Sequence, residues 1–399
     1  MQICVSGIGV VSSIGIGVDA NVASLASQKD GMGSITLFDS THDFLVSEVK
    51  ASNGELMQLL SVPERSPYSR TALLGMLAAN EALKDAAVDL DRLRVGLVSA
   101  TSVGGMDLTY GFYEEFAKDS AKGRLRDVVS HDCYDSTSKI AEYCGIRSFS
   151  TTISTACSSA ANAVMLGARL IRHGYLDCVV VGGTDALCKF TLNGFSSLMI
   201  LDSQKCRPFD SSRAGLNLGE GAGYIVLQRA DTLVRKPYCL LGGFANANDA
   251  YHQTASSAEG NGAYLSMSQA LNMSGLKLSD IGYINVHGTG TPNNDASEGA
   301  ALRRLFGDNA PPFSSTKSYT GHTLAAAGGV EAVYSILSID RGMVFPNLNF
   351  ATPIEGLGLI PETSFSEGND IGAVMSNSFG FGGNNSSLIF TKQDGSLHQ

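Results

Sequence analysis

With 399 residues, 44% of them hydrophobic and 17% charged, the chain can bury one large core or two fused ones. A net charge of −10 argues against a nucleic-acid backbone or an anionic membrane as the main partner. No uninterrupted apolar run reaches membrane-spanning length.

The eight cysteines are scattered, with no CxxC pair and no Cys/His group at zinc spacing, so no metal is expected and the compartment is read as reducing and cytoplasmic. The opening Met1-Gln2-Ile3-Cys4-Val5 lacks a basic segment and runs straight into a strand, which is read as no signal peptide.

Residues 3–15 read as a buried strand breaking into a glycine loop, followed by short helices at 18–28 and 55–61. Helical spacing of apolar residues predicts a helix over 69–87, and 94–99 reads as a strand. From Thr101 to about Ile146 no period holds, and the stretch is expected to be irregular, a surface excursion or a subunit contact. Phe149 to Ile153 is a β-type run. Small residues follow, and then an Ala/Leu/Met helix from Ala160 to Ile171. Residues 176–183 form another buried strand, 207–223 a glycine-punctuated loop, and 224–228 a strand. A connector near 231–237 divides the chain into 1–236 and 237–399.

The second part echoes the first. Residues 239–247 resemble the opening strand, 265–276 a helix, 282–286 a strand, and 313–338 a Ser/Thr-rich strand, a turn and a helix. Residues 372–391 read as strand, glycine turn and strand. Strands alternating with helices argue for an α/β class, and the echo argues for duplication.

Cys157 falls where the strand 149–153 gives way to a helix. A thiol there meets unpaired backbone N–H groups and the positive end of the helix dipole, which favour the nucleophilic thiolate. The commoner role of a free cysteine is that of a small buried hydrophobe. His287 ends a strand and opens Gly288-Thr289-Gly290-Thr291, and His322 sits at a turn before an Ala/Gly helix. Strand ends are where α/β proteins place ligands.

A Cys with two His points to acyl chemistry. With one His as base the site would be a cysteine hydrolase; two neutral His can instead donate N–H to one oxygen and stabilise an enolate. The sequence does not fix their tautomers. Lys317 and Glu331 lie in the same helical unit and would tune the site if buried together, whereas a solvated pair is the ordinary alternative. The glycines of 215–223 do not follow a dinucleotide-binding pattern, so a nicotinamide site is rejected.

Thr155-Ala156-Cys157-Ser158-Ser159, Val286 to Thr291, Lys317 to His322 and Asn377 to Asn384 resemble the type I and type II β-ketoacyl-ACP synthases, as do Arg207 to Asp210 and Gly219 to Gly223. The resemblance covers essentially the whole chain, in the family's order. It implies a thiolase fold, with two similar halves in five αβαβα layers. It also implies a homodimer, or a heterodimer with a related subunit.

By resemblance Cys157 accepts an acyl group from acyl carrier protein, and no cofactor is needed because substrates ride on that protein's phosphopantetheine arm. His287 and His322 then assist decarboxylation of the malonyl partner. The resemblance further implies an oxyanion hole from the backbone N–H groups of Cys157 and Phe381. By the same resemblance Phe381 would be a gate, Thr289 and Thr291 would hold the phosphopantetheine arm, Lys317 and Glu331 would form a supporting pair, and Asp295 and Glu298 would be nearby acids.

The chain departs from the family pattern at Leu216-Asn217-Leu218, Ala325 and Asn384, where Thr is commoner, and it is similar to ketosynthases of aryl-polyene pathways. A non-elongating, chain-length-factor-like subunit is the alternative, disfavoured by the presence of Cys157 and both His. Arg65, Arg70 and Arg207 are candidate contacts for an acidic partner.

Overall fold

In the computed structural model, which describes residues 2–64 and 66–393, the main sheet follows one path of ten strands. In chain order they are β1 (Ile3–Ser12), β2 (Val95–Ala100), β3 (Phe149–Ile153), β4 (Cys178–Asp185), β5 (Gly221–Arg229), β6 (Cys239–Asn248), β7 (Tyr283–Asn285), β8 (Phe313–Ser314), β9 (Ala373–Gly380) and β10 (Asn384–Thr391). Their spatial order is β8-β7-β9-β10-β6-β1-β5-β4-β2-β3. A two-residue strand, Gly15–Ile16, folds back on β1.

The path repeats itself. In the first half β2 runs parallel to β3 and β4, β4 antiparallel to β5, and β5 antiparallel to β1. In the second half β7 runs parallel to β8 and β9, β9 antiparallel to β10, and β10 antiparallel to β6. Each strand of the second half stands five places after its counterpart. The halves meet where β1 pairs with β6, through Cys4 with Leu240 and Val5 with Cys239.

The helices are α1 (Val18–Ala26), α2 (Asn53–Leu59), α3 (Arg70–Ala86), α4 (Met106–Lys118), α5 (Cys133–Tyr143), α6 (Ser159–Arg172), α7 (Lys189–Ser197), α8 (Asn261–Ser274), α9 (Pro292–Phe306), α10 (Lys317–Thr320) and α11 (Ala327–Arg341). α3 and α5 cover the outer face of the first half-sheet, and α8 and α9 that of the second. α6 and α11 lie between the two half-sheets and share one core with both. The result is the five-layer αβαβα arrangement.

α11 is buried all round from Ala327 to Ile339, as expected of a helix with no polar face in a middle layer. Its Gly329 permits direct backbone contact with β5, because a Cβ there would lie 2.3 Å from the Gly223 carbonyl oxygen.

Two helices stand where the sequence predicts irregular chain between Thr101 and Ile146. α4 has no fully buried residue, and α5 buries Ser136 and Thr137 beside Ile140 and Ala141. α5 lacks an aliphatic stripe, whereas in α4 Leu108, Phe112 and Phe116 recur at helical spacing without becoming buried. α7 and α9, which the sequence reading does not place, pack around the cavities described next.

Candidate active site

β3 ends at Ile153, and the chain then turns tightly into α6. Ala156 takes φ +52°, a left-handed conformation that is strained for a residue with a Cβ. Ser159 locks the turn: its Oγ accepts from the Thr155 N–H at 2.8 Å and donates to the Ala156 carbonyl at 2.5 Å.

Cys157 follows the strained residue and is buried. The backbone N–H groups of Phe381 and of Cys157 itself reach its Sγ. Burial nevertheless pushes the thiol up to about 11, against the opposing pull of the Lys317 ammonium and the two N–H groups. The expectation of a resting thiolate is therefore corrected, because desolvation outweighs the charges that favour the anion.

His287 follows β7, and His322 follows α10 in the turn before Leu324. The reactive atoms of Cys157, His287 and His322 lie within 4.8 Å of one another. The two imidazoles stand edge to face, with ring centroids 5.4 Å apart.

Hydrogen bonds fix both tautomers. Lys317 Nζ, which can only donate, is 3.2 Å from His287 Nδ1, and the Leu324 N–H donates to His322 Nδ1 at 3.0 Å. Each ring therefore accepts at Nδ1 and carries its proton on Nε2. Burial, and then Lys317, hold both imidazoles well below their usual pKa, so both are neutral near pH 7. Two neutral N–H groups thus accompany the thiol. Rings that present N–H rather than a lone pair are poor metal ligands, which speaks against reading this Cys/His cluster as a metal centre.

Lys317 and Glu331 form a buried ion pair. They sit on separate helices, α10 and α11, rather than on one helical unit, because Gly321 to Ala326 interrupts the run. Burial raises Glu331 to about 7 against the pull of Lys317 and Ser378. Glu298 accepts from the His287 and Gly288 N–H groups at 2.9 and 2.8 Å, and Asp295 accepts from those of Thr289 and Gly290. These acids hold the backbone of the His287 loop.

Thr289 and Thr291 are joined through their hydroxyls at 2.9 Å, and both line a channel that opens outward from Cys157 past Ser256 and Asn293. On the other side of Cys157 lies an apolar cavity bounded by Val103, Phe190, Thr191, Gly194, Phe195, Leu198, Leu324 and Phe381. Phe381 stacks on Phe195 with centroids 6.1 Å apart, and both rings border the channel and the cavity.

The sequence reading misses Phe195 and Asp185. Buried Asp185, at the end of β4, accepts from the hydroxyls of Thr101 and Ser102, from the Ser102 N–H and from the Ala325 N–H, tying the His322 turn to the first half. An acid closing the apolar strand Val179 to Thr184 is the signal that could have found it.

Arg70 does not face a partner. It is buried and paired with Glu220 at 2.6 Å. Arg207 is mostly enclosed, 3.1 Å from Asp202 and bonded to the Ser212 carbonyl. Arg65 lies outside the described residues.

Residues 1–232 match the family described as beta-ketoacyl synthase, N-terminal domain, and residues 238–351 its C-terminal domain. The chain is 31% identical over 414 residues to 3-oxoacyl-[acyl-carrier-protein] synthase 2 of Staphylococcus aureus, covering 98% of each chain. Among solved structures, the ishigamide ketosynthase/chain length factor matches with a TM-score of 0.93 and 28% identity, covering 98% of this chain and 99% of that one. The ketosynthase ApeO in complex with its chain length factor ApeC, from Xenorhabdus doucetiae, matches with a TM-score of 0.84 and 31% identity, covering 98% of each. With both family domains matched in order and a relative aligned nearly end to end, the chain belongs to the β-ketoacyl synthase family, of the type II, thiolase-fold kind.

Proposed function

We propose that the protein is an acyltransferase that condenses an acyl group held on Cys157 with malonyl-ACP to give β-ketoacyl-ACP. The observation that carries this reading is the pair of tautomer-locked, neutral imidazole N–H groups beside a buried thiol.

In the first half-reaction Cys157 Sγ attacks the acyl thioester. The tetrahedral oxyanion accepts from the N–H groups of Cys157 and Phe381. The phosphopantetheine thiol leaves with the proton that Cys157 gives up. Malonyl-ACP then occupies the channel, its arm against Thr289 and Thr291. His287 and His322 donate Nε2–H to the thioester carbonyl oxygen. As CO2 departs, the electrons of the breaking C–C bond form an enolate on that oxygen. The enolate carbon attacks the Cys157 thioester, a C–C bond forms, and Cys157 leaves as the thiolate, which takes its proton from water. A hydrolase would need an imidazole to accept a proton from the attacking water, and neither Nε2 has a free lone pair.

Phe381 gates passage between channel and cavity. Lys317 and Glu331 support His287. Residues 1–236 form the half bearing the nucleophile and 237–399 the half bearing the two imidazoles. No resident cofactor is required, because acyl groups arrive on carrier protein. We place the enzyme in the cytoplasm, where that carrier and reduced thiols are available.

It acts as a dimer with a second copy or with a related subunit. The chain-length-factor complexes among its structural relatives support the latter, and exposed Tyr134 and Phe149 at edge strand β3 offer an apolar face for either partner.

Intact-mass analysis after incubation with a panel of acyl-ACPs, then with malonyl-ACP, tests the reading. Acylation lost in Cys157→Ala and a β-ketoacyl-ACP product are expected. Acylation followed only by free acid would overturn condensation, and no acylation by any donor would favour the non-elongating subunit.

A further inference from the structure

The two N–H groups that face Cys157 Sγ belong to different halves of the fold. One is on the turn after β3, and the other, that of Phe381, is on the turn between β9 and β10. Their spacing must be held by something that spans both turns. Part of it is backbone contact, since a Cβ on Gly380 would lie 3.2 Å from the Cys157 nitrogen. The rest is a side-chain network centred on Asn384, the residue that opens β10 directly after the Phe381 turn.

Asn384 Oδ1 accepts from Asn246 Nδ2 at 2.6 Å and Asn162 Nδ2 at 3.2 Å, and lies 3.1 Å from Ser158 Oγ, whose one proton it shares with the Thr155 carbonyl. Asn162 extends the network to Thr155 Oγ1 at 2.9 Å, and its Oδ1 accepts from Asn246 Nδ2, also at 2.9 Å. Ser158 Oγ reaches the Thr155 carbonyl at 2.8 Å. One oxygen thus joins β6 and β10 to the residues after Cys157, and through Asn162 and Ser158 to Thr155 before it. The two converging amide donors also dictate which end of the Asn384 amide is oxygen.

We propose that Asn384 is a positioning residue that sets the distance between the Cys157 and Phe381 N–H groups. It would thereby control acyl transfer to Cys157 without touching the acyl group. The proposal rests on the acyltransferase reading above. A misplacement of about 1 Å at such a site costs up to roughly a hundredfold in rate. Decarboxylation depends instead on the Nε2–H groups of His287 and His322, which are held by Lys317 and Leu324 and do not join this network.

The test compares three rates in the native protein, Asn384→Ala and Asn384→Asp, the last of which keeps an acceptor oxygen in place. These are single-turnover acylation of Cys157 by acyl-ACP read by intact mass, alkylation of Cys157 by iodoacetamide, and decarboxylation of malonyl-ACP. Asn384→Ala is expected to slow acylation by about ten- to a hundredfold, slow alkylation by less because the same two N–H groups support the thiolate, leave decarboxylation within about threefold, and be largely rescued by Asn384→Asp. Unchanged acylation in Asn384→Ala would overturn the proposal, as would a parallel fall in all three rates, which would mark a purely structural role. Failure of the native protein to be acylated by any donor would overturn the acyltransferase reading as well.

Discussion

The three N–H groups of Lys317 meet three acceptors: the His287 carbonyl at 2.5 Å, His287 Nδ1 at 3.2 Å and Glu331 Oε1. A fully satisfied ammonium held this way acts on the reaction through the ring it orients. Lys317→Met would remove the donor that keeps His287 Nδ1 free of a proton, so the tautomer presenting Nε2–H would no longer be enforced. Decarboxylation of malonyl-ACP is expected to fall by about a hundredfold while acylation of Cys157 changes by less than about tenfold, because loss of one preorganised donor costs on that scale. The variant also strands the Glu331 carboxylate. Lys317→Met with Glu331→Gln should therefore recover stability in thermal unfolding but not decarboxylation.

Cys157 carries a second prediction. With its thiol pushed up to about 11, the thiolate fraction at neutral pH is small and rises tenfold per pH unit. Alkylation by iodoacetamide should climb steadily from pH 7 to 9, and a plateau within that range would show a depressed thiol. The identities of Cys157, His287 and His322 are legible in sequence because each interrupts an apolar pattern with small polar residues. The tautomers are not legible, since they depend on a backbone N–H from a left-handed turn at Leu324 and on an ammonium thirty residues away from His287.

α7 shows what an element contributes when its partner is empty space. Phe190, Thr191, Gly194, Phe195 and Leu198 lie on one helical face, and that face borders the apolar cavity beyond Cys157. A Cβ on Gly194 would meet no atom within 4 Å. Glycine in a helix costs about 1 kcal/mol relative to alanine, so its presence here keeps the cavity wide at the expense of the helix. Gly194→Leu should stabilise the helix slightly and shorten the cavity. Across a ladder of acyl-ACPs, acylation by the longest accepted chains is expected to drop at least about tenfold while short chains are unaffected. That is the discrimination a few methylenes confer in an apolar pocket. Equal loss at every length would contradict the assignment.

The same absence of packing explains why α7 and α4 are hard to read from sequence. Their apolar residues, Phe190, Phe195 and Leu198 on α7 among them, face a cavity or solvent and are separated by polar ones, whereas α3 and α6, packed on neighbours, are predicted to within a residue. α5 is hidden for a different reason, because serine and threonine fill the buried positions where aliphatic residues would announce a helix.

Among the described residues the two half-sheets share only two paired positions, Cys4 with Leu240 and Val5 with Cys239, too few to fix their relation by hydrogen bonds alone. The middle layer does that work. α11 belongs to the second half by sequence but packs on β5 and β4 of the first, and one continuous core includes Val164 and Ala168 of α6 with Val333 and Leu337 of α11.

Cys157 sits at the head of α6 and Glu331 on α11, so the packing that joins the halves also brings the thiol to the imidazoles. The closest approach is backbone on backbone: the Gly329 position faces the Gly223 carbonyl, with Gly183 beside it. A methyl group cannot fit there by rotating a side chain. Gly329→Ala is expected to destabilise the protein by about 3 kcal/mol, the upper end of overpacking costs.

Because neither half retains its core when α11 shifts, the loss should appear in both halves together. Urea unfolding followed by pulsed thiol labelling can separate them, with Cys178 on β4 reporting the first half and Cys239 on β6 the second, both buried. Midpoints that fall in parallel would establish one cooperative unit built around the α6–α11 layer. A shift confined to Cys239 would mean that the halves fold independently and that the site is assembled only by their docking.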